Sequence, residues 1–196
     1  MSAKRRTRLG YVQGVQVNSE LQLSAIAETL ATAAELDIRL WLRGGWAMDF
    51  FLGQVTRAHQ DIDWFVLVED APPLRRAMTA DGFVDVTTAP VEQQLDLKRG
   101  AIDHGFAFLR LADGVPVVAG GPWAGEPWPI TLLGDHVGRI GEVTAPIISP
   151  AAQIEIKTMM PEWNPSLPRR QKDLDDIAAI THALRRAQSA SPSGST

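Results

Sequence analysis

Residues 43–65 read RGGWAMDFFLGQVTRAHQDIDWF, and this stretch decides the fold. The apolar residues just before it, IRLWL at 38–42, favour a buried strand that ends at the glycine pair Gly44-Gly45. The segment WAMDFFLG favours a short helix that ends at Gly53, and DIDWFVLV favours the next strand. A strand, helix and strand in this order predict a domain that mixes both element types.

The rest of the chain continues this mixture. The segment SELQLSAIAETLATAAELD has Ser19 followed three residues later by Gln22, which predicts a capping box at the start of a helix. Four short segments with β-type alternation follow: FVDVT, VEQQLDLKR, AIDHGFAFLRL and VPVVA. The pair Ser149-Pro150 predicts a helix start, and RRQKDLDDIAAITHALRR predicts a final amphipathic helix. We therefore expect an α/β or α+β domain in which helices flank a mixed β-sheet.

The composition limits the classes of function. The chain has 196 residues, enough for one sizeable core, and no cysteine, which excludes disulfides and thiolate metal sites. Its net charge of −4 disfavours a broad nucleic-acid surface, because such surfaces are basic. We find no apolar segment of a secretory signal and no run long enough to span a membrane, and we expect a cytoplasmic protein.

Asp61 and Asp63 are the most informative polar residues. They stand two positions apart in a predicted strand, so their side chains project to the same face. Two like charges at that distance oppose each other's ionisation, and a divalent cation removes the penalty. Oxygen ligands favour Mg²⁺ or Mn²⁺. Since Gly44 and Gly45 precede a helix whose first N–H groups suit phosphate, the pattern predicts a metal-bound nucleoside triphosphate.

The stretch LWLRGGWAMDFFLGQVTRAHQDIDWFV resembles the signature of the aminoglycoside and lincosamide nucleotidyltransferases, within the polymerase-beta-like superfamily. Its GGWAxD, TRxH and DID elements are similar to those of the 2''-aminoglycoside adenylyltransferases. The tight resemblance covers residues 40–66, and a looser one continues through SPAAQIEIK and QKDLDDIAAI to about residue 180. The chain is thus predicted to have four segments: an N-terminal segment at 1–17 and a tail at 188–196 that are expected to be flexible chain ends, and between them a nucleotidyltransferase core at 18–148 and a helical C-terminal region at 149–187.

The resemblance implies transfer of AMP from ATP to a hydroxyl of a small molecule, with an aminoglycoside-type antibiotic as the leading acceptor. Two Mg²⁺ ions, or Mn²⁺, about 4 Å apart would hold the attacking and leaving oxygens. Asp61, Asp63 and a third carboxylate would bind these ions. Asp103 occupies the place of the family's third aspartate and would also serve as general base, with Asp96 and Glu92 as alternatives.

Further contacts with the nucleotide are expected from five residues. The backbone N–H groups of Gly44 and Gly45 would donate to the phosphates. Arg57 and His59, in TRAHQDID, either steady the triphosphate or only order their own loop. Lys157, in IEIK, either contacts a phosphate from the C-terminal region or is solvated.

Two acidic residues are given structural interpretations. Asp49 is expected to bond Arg57 or a loop amide rather than substrate. Asp176 stands four residues after Lys172, which predicts an exposed ion pair.

Two rival functions stay open: nucleotidylation of a macromolecule, as in toxin-like members of the superfamily, and nucleotide binding without catalysis. The predicted partners are a nucleoside triphosphate and a small hydroxyl acceptor, with no membrane, and with nucleic acid disfavoured. The sequence leaves open the acceptor, the nucleobase preference and the oligomeric state.

Overall fold

The structure is a computed structural model that describes the backbone of residues 3–190 and the side chains of residues 18–189. Five α-helices, eight strands and one 3-10 turn occur in this part of the chain. In chain order they are α1 (Ala3–Glu35), β1 (Leu40–Leu42), α2 (Gly44–Leu52), β2 (Ile62–Leu67), α3 (Ala71–Ala80), β3 (Val84–Asp85), β4 (Gln94–Arg99), β5 (Ile102–Ala112), β6 (Val115–Val118), the 3-10 turn (Gly121–Trp123), β7 (Val137–Ile140), β8 (Val143–Pro146), α4 (Pro150–Trp163) and α5 (Gln171–Ala190).

Six of the strands form one mixed sheet, as the sequence predicts. Its order is β1-β2-β5-β4-β3, and β6 also pairs with β5. Strands β2 and β5 are parallel, whereas the other pairs in this sheet are antiparallel. Strand β5 therefore lies between β2 and β4, although β4 precedes it in the chain. This order decides which acidic residues face Asp63.

The face of β2 opposite Asp63 packs into the core. Ile62 and Trp64 are completely buried, as the alternation in DIDWF predicts. The Trp64 indole N–H donates to Nδ1 of His104 at 3.0 Å. Burial, with a further contribution from the charge of Arg99, lowers the pKa of His104 to about 3, so the ring is neutral and able to accept this bond.

Local patterns predict several element boundaries correctly. Gly53 ends α2 in the left-handed conformation with φ of 75°, and the Ser149 hydroxyl accepts from the Ala152 N–H at the start of α4. The capping box at Ser19 is wrong, because α1 is already helical before this residue. The hairpin of β7 and β8 was not predicted, since its Gly-rich and Pro-rich surroundings favour an irregular loop.

The predicted boundary between residues 17 and 18 falls inside α1, and the boundary before residue 149 coincides with the start of α4. Residues 1, 2 and 191–196, at the ends of the two predicted flexible segments, lie outside the described residues. The four-segment division therefore stays a prediction. Among the described residues, no helix combines the length and hydrophobicity needed to cross a membrane.

Candidate active site

The first part of the site is the contact between the end of β1 and the start of β2. The N–H of Arg43 donates to the carbonyl oxygen of Asp63 at 3.0 Å, and its guanidinium lies 3.7 Å from Asp63 Oδ1. Gly44 has φ of +67°, and a Cβ at this position would lie 2.7 Å from Asp63 Oδ2. Both the backbone conformation and the lack of space therefore require glycine here.

Gly45 is required for a different reason. A Cβ on Gly45 would overlap the His59 ring and would lie 2.8 Å from an Arg57 guanidinium nitrogen. The glycine pair thus lets the start of α2 approach Asp63 on one side and the TRAHQ loop on the other. The N–H groups that the sequence assigns to phosphate binding belong to this first turn of α2.

His59 is held in one tautomer by its two partners. Arg57 Nη1 lies 3.1 Å from His59 Nδ1, and a guanidinium can only donate, so Nδ1 accepts. The proton is then on Nε2, which donates to Asp49 Oδ2 at 2.6 Å. Asp49 is completely buried and also accepts from the Thr56 N–H at 3.1 Å and the Thr56 hydroxyl at 2.5 Å. The expected bond between Asp49 and a loop amide is confirmed.

Helix α1 contacts the same loop through Gln22, whose role is not predicted from the sequence. Gln22 is completely buried, and its amide nitrogen donates to the His59 carbonyl oxygen at 3.3 Å. Its amide oxygen accepts from the Trp46 indole N–H at 3.2 Å. Gln22 therefore links α1, α2 and the loop that precedes Asp61. A polar residue in an apolar helical pattern was the only sequence signal for it.

The C-terminal helices reach the site through a buried carboxylate. Asp176 of α5 accepts from Arg57 Nη2 at 3.1 Å and from Lys157 Nζ of α4 at 2.8 Å. Its side chain is 4% exposed. The prediction that Asp176 forms an exposed pair with Lys172 is therefore wrong, because packing turns Asp176 toward α4 and the loop. Lys157 is largely buried and not solvated.

A second carboxylate of α5, Asp173, completes this cluster. Arg170 donates to both of its oxygens, at 2.8 and 3.0 Å, and Lys157 Nζ lies 3.8 Å from Oδ1. Burial opposes the ionisation of Asp173, but the bonds and charge of Arg170 and the charge of Lys157 outweigh it. The pKa of Asp173 is consequently below its usual value.

The position of the third carboxylate depends on strand register. Asp63 and Asp96 both pair with Gly105 of β5, and a Cβ on Gly105 would lie 3.4 Å from Asp63 Oδ1 and 3.5 Å from Asp96 Oδ1. Asp96 thus faces Asp63 across a residue without a side chain. Asp103 stands two positions before Gly105, on the same face of β5, and its Oδ2 accepts from Lys98 at 2.7 Å. Asp96 and Asp103 both remain candidates for the third carboxylate. Glu92 lies instead beside Gly120.

Asp61 lies just before β2 rather than within it and is partly exposed, whereas Asp63 is in the strand and is paired with Arg43 at 3.7 Å. Loss of hydration raises the pKa of Asp61, and the charge of Asp63 raises it further, against smaller opposing effects of Lys172 and Arg43. Within residues 18–189, no three His, Asp or Glu side chains gather closely enough to form a metal centre. The chemistry of the two carboxylates nevertheless fits a hard divalent cation such as Mg²⁺ or Mn²⁺, which binds oxygen ligands.

A cavity of about 230 Å³ opens beside Asp63. It lies between the Arg43–Gly44 turn, strand β2, and helices α4 and α5. Among the residues that line it are Arg43, Asp63, Phe65, Gln153, Lys157 and Arg170. Of the predicted site residues, Gly44, Asp63 and Lys157 therefore meet at one cavity. Asp61, Asp103, Arg57, His59 and Gly45 are not among its lining residues.

Comparison with known proteins identifies the family. Residues 25–179 match the aminoglycoside-2''-adenylyltransferase family. A 2''-aminoglycoside nucleotidyltransferase of Klebsiella pneumoniae is 37% identical over 75 residues, which cover 38% of this chain and 39% of that protein. One from Escherichia coli is 52% identical over 42 residues, or 21% of this chain and 24% of that protein. The matched segments thus span less than half of these relatives' length.

Solved structures show the same fold. The crystal structure of ANT(2'')-Ia in complex with adenylyl-2''-tobramycin superposes with a TM-score of 0.69 at 22% identity, covering 86% of this chain and 92% of that chain. Lincomycin-bound LnuA, a lincosamide antibiotic adenylyltransferase, gives 0.63 at 18% identity, covering 79% and 92%. The mixed sheet with its flanking helices is therefore a nucleotidyltransferase fold. With the family match extending over most of its length, the chain belongs to the aminoglycoside-2''-adenylyltransferase family.

Proposed function

We propose that this chain transfers AMP from ATP to a hydroxyl of an aminoglycoside-type antibiotic and releases pyrophosphate. The observation that carries the proposal is the contact of Asp63 with Gly44 and Arg43 at the edge of a cavity that also contains Lys157. Family membership supports the reaction, and the adenylyl-2''-tobramycin bound by ANT(2'')-Ia supports the class of acceptor.

The residues of the cavity would bind and orient the nucleotide. Asp61 and Asp63 would hold Mg²⁺, which when bound supplies positive charge to the phosphate oxygens. Arg43 and Lys157 line the cavity and would supply positive charge to the phosphates during transfer. The first N–H groups of α2, at Gly44 and Gly45, would donate to the phosphates.

The proton and the bonds can then be assigned. The acceptor hydroxyl oxygen forms a bond to the α-phosphorus while the bond from that phosphorus to the bridging oxygen breaks and pyrophosphate leaves. Asp103 would accept the hydroxyl proton as general base, with Asp96 as the alternative. Arg57 and His59 act as positioning residues, because their bonds to Asp176 and Asp49 hold the loop that leads into Asp61.

An assay with ATP, Mg²⁺ and a panel of antibiotics tests the proposal. We expect pyrophosphate release that depends on an aminoglycoside, and an antibiotic product whose mass increases by one adenylyl group. A reaction without acceptor is the control for hydrolysis of ATP. Labelled transfer to protein or tRNA from a cell extract, with none to any antibiotic, would instead favour a macromolecular target. Nucleotide binding without transfer to either would favour a non-catalytic member.

The raised pKa of Asp61 predicts that this carboxylate lowers stability at neutral pH. Because its ionised form is less favourable in the folded than in the unfolded chain, the contribution of Asp61 to folding stability is greatest at low pH and is lost as pH rises through its folded-state pKa. We expect Asp61→Asn to raise the melting temperature at pH 7 without divalent cations. The gain should vanish below the ordinary Asp pKa of about 3.9, where both residues are neutral.

Thermal melting of the two proteins between pH 3 and pH 8 measures this effect. Asp113→Asn, at an exposed turn residue, is the matched control and should change nothing. Magnesium and ATP together should stabilise the wild type more than Asp61→Asn, because the ligands bind the folded state through this carboxylate. A lower melting temperature for Asp61→Asn at pH 7 would contradict the conclusion that ionised Asp61 destabilises the folded chain.

A further inference from the structure

Asp176 of α5 is a buried carboxylate that two cations from other elements share. Its Oδ2 accepts from Arg57 Nη2 of the TRAHQ loop at 3.1 Å and from Lys157 Nζ of α4 at 2.8 Å. The side chain of Asp176 is 4% exposed, and Asp176 is not among the residues that line the cavity beside Asp63. Any effect of Asp176 on a ligand in this cavity is therefore exerted through the residues that it holds.

Lys157 is the partner of Asp176 that lines the cavity. Its side chain is 12% exposed, and its ammonium carries three N–H donors. Within residues 18–189 the ammonium makes a single hydrogen bond, the one to Asp176, so N–H groups remain for an anion in the cavity. Because a lysine ammonium is a compact charge on a flexible stem of four carbons, a fixed acceptor restricts where that charge lies.

Asp173, the other carboxylate near Lys157, holds the ammonium less firmly. Arg170 donates to both Asp173 oxygens, at 2.8 and 3.0 Å, whereas Lys157 Nζ lies 3.8 Å from Asp173 Oδ1, beyond hydrogen-bond distance. Asp176 is therefore the hydrogen-bond partner that determines the place of the ammonium. Without Asp176, we expect Nζ to move toward Asp173 and to leave its present position in the cavity wall.

The charge of the cluster remains favourable for phosphate. The side chains joined by these contacts are three cations and two anions: Arg57, Lys157, Arg170, Asp173 and Asp176. Pairing inside the cluster thus leaves one positive charge, which attracts a polyphosphate. Asp176 consequently fixes Lys157 in place without cancelling the attraction of the cluster for a nucleotide.

We propose that Asp176 is a positioning residue for nucleotidyl transfer, because its carboxylate fixes the Lys157 ammonium where it meets the phosphates of the nucleotide. The inference rests on the proposed function and adds a residue of α5 to the binding of ATP. In this arrangement Asp176 itself contacts no part of the nucleotide. Since the same carboxylate holds Arg57, α5 also connects Lys157 to the loop that leads into Asp61.

A double-mutant cycle with Asp176→Asn and Lys157→Met tests the proposal. Asparagine keeps the shape of Asp176 without its charge, and methionine keeps most of the length of Lys157 without its ammonium. Titration calorimetry of the full chain with ATP and Mg²⁺ measures the affinity. We expect each single variant to bind ATP about tenfold more weakly, the scale of one charge-assisted hydrogen bond. The double variant should bind no more weakly than Lys157→Met, because Asp176 acts through Lys157.

Two further variants separate positioning from a general effect on the fold. Asp176→Glu keeps the charged acceptor and should recover part of the affinity that Asp176→Asn loses. Asp175→Asn makes the same chemical change at the exposed neighbouring residue of α5 and should bind ATP as the wild type does. Thermal unfolding of each free variant, with binding measured well below its transition, ensures that folded proteins are compared.

The outcomes distinguish this inference from the proposed function. Additive losses in the double variant, or wild-type affinity in either single variant, would overturn the positioning role, while transfer to an antibiotic by the wild type would stand. Tighter ATP binding in Asp176→Asn would also overturn it, because Asp176 would then compete with phosphate for Lys157. If Asp176→Asn does not fold, Asp176→Glu replaces it in the cycle, with a smaller loss that should again vanish in the Lys157→Met background. Absence of ATP binding by the wild type would overturn both proposals.

Discussion

Asp63→Asn is expected to lower nucleotidyl transfer by about a thousandfold or more, because several kcal/mol of charge stabilisation at the phosphates depend on the metal that this carboxylate would hold. The fold should be unaffected. Asparagine has the same shape, and the side chain of Asp63 is 32% exposed with no fully buried charge partner. Its amide fits beside Gly44 and Gly105, since neither residue has a side chain that would collide with it.

Pyrophosphate release at saturating ATP and aminoglycoside measures the loss, and circular dichroism with thermal melting checks the fold. Asp113→Asn makes the same chemical change at an exposed hairpin turn and should retain full activity. A parallel comparison of Asp96→Asn and Asp103→Asn identifies the third carboxylate, since only the variant at the true ligand should lose a similar amount of activity. Wild-type turnover by Asp63→Asn would remove Asp63 from the metal site.

The largest effect on stability is expected from Asp49→Ala, because it removes an acceptor that serves three donors. The substitution leaves the Thr56 N–H, the Thr56 hydroxyl and the His59 Nε2–H without their partner in a completely buried site. Each unpaired buried group costs about 1–3 kcal/mol, so the free energy of unfolding should fall by about 3 kcal/mol or more. In a chain of this length that corresponds to about 10 °C in melting temperature.

Thermal or denaturant unfolding measures this loss, with Asp135→Ala at an exposed loop residue as the control. Asp49→Asn should be intermediate, because its oxygen still accepts from Thr56 while its NH₂ group opposes the His59 N–H. Both variants should also weaken nucleotide binding, since the loop with Arg57 and His59 loses its attachment to α2. A melting temperature that is the same for Asp49→Ala and the wild type would show that this network contributes little to the fold.

Local sequence patterns were sufficient for the elements that carry the glycine pair and the two aspartates. Apolar runs around Gly44 and Asp63 specify β1 and β2, and the alternation along β2 places Asp63 on the face opposite Ile62 and Trp64, whereas Asp61 lies just before the strand. Gly53 indicates where α2 ends, and the Ser149 N-cap indicates where α4 begins. These features depend on backbone conformation and on side-chain period, which are properties of a few consecutive residues.

Only the tertiary structure decided which distant residues meet at the site. Asp96 faces Asp63 because β5 inserts between β2 and β4, an order that no spacing along the chain reveals. Arg57 reaches Asp176 over a separation of 119 residues, and Lys157 reaches the same carboxylate because α4 packs against α5. Such contacts depend on how whole helices and strands pack together, and the physical reason they escape prediction is that no local run of residues contains both partners.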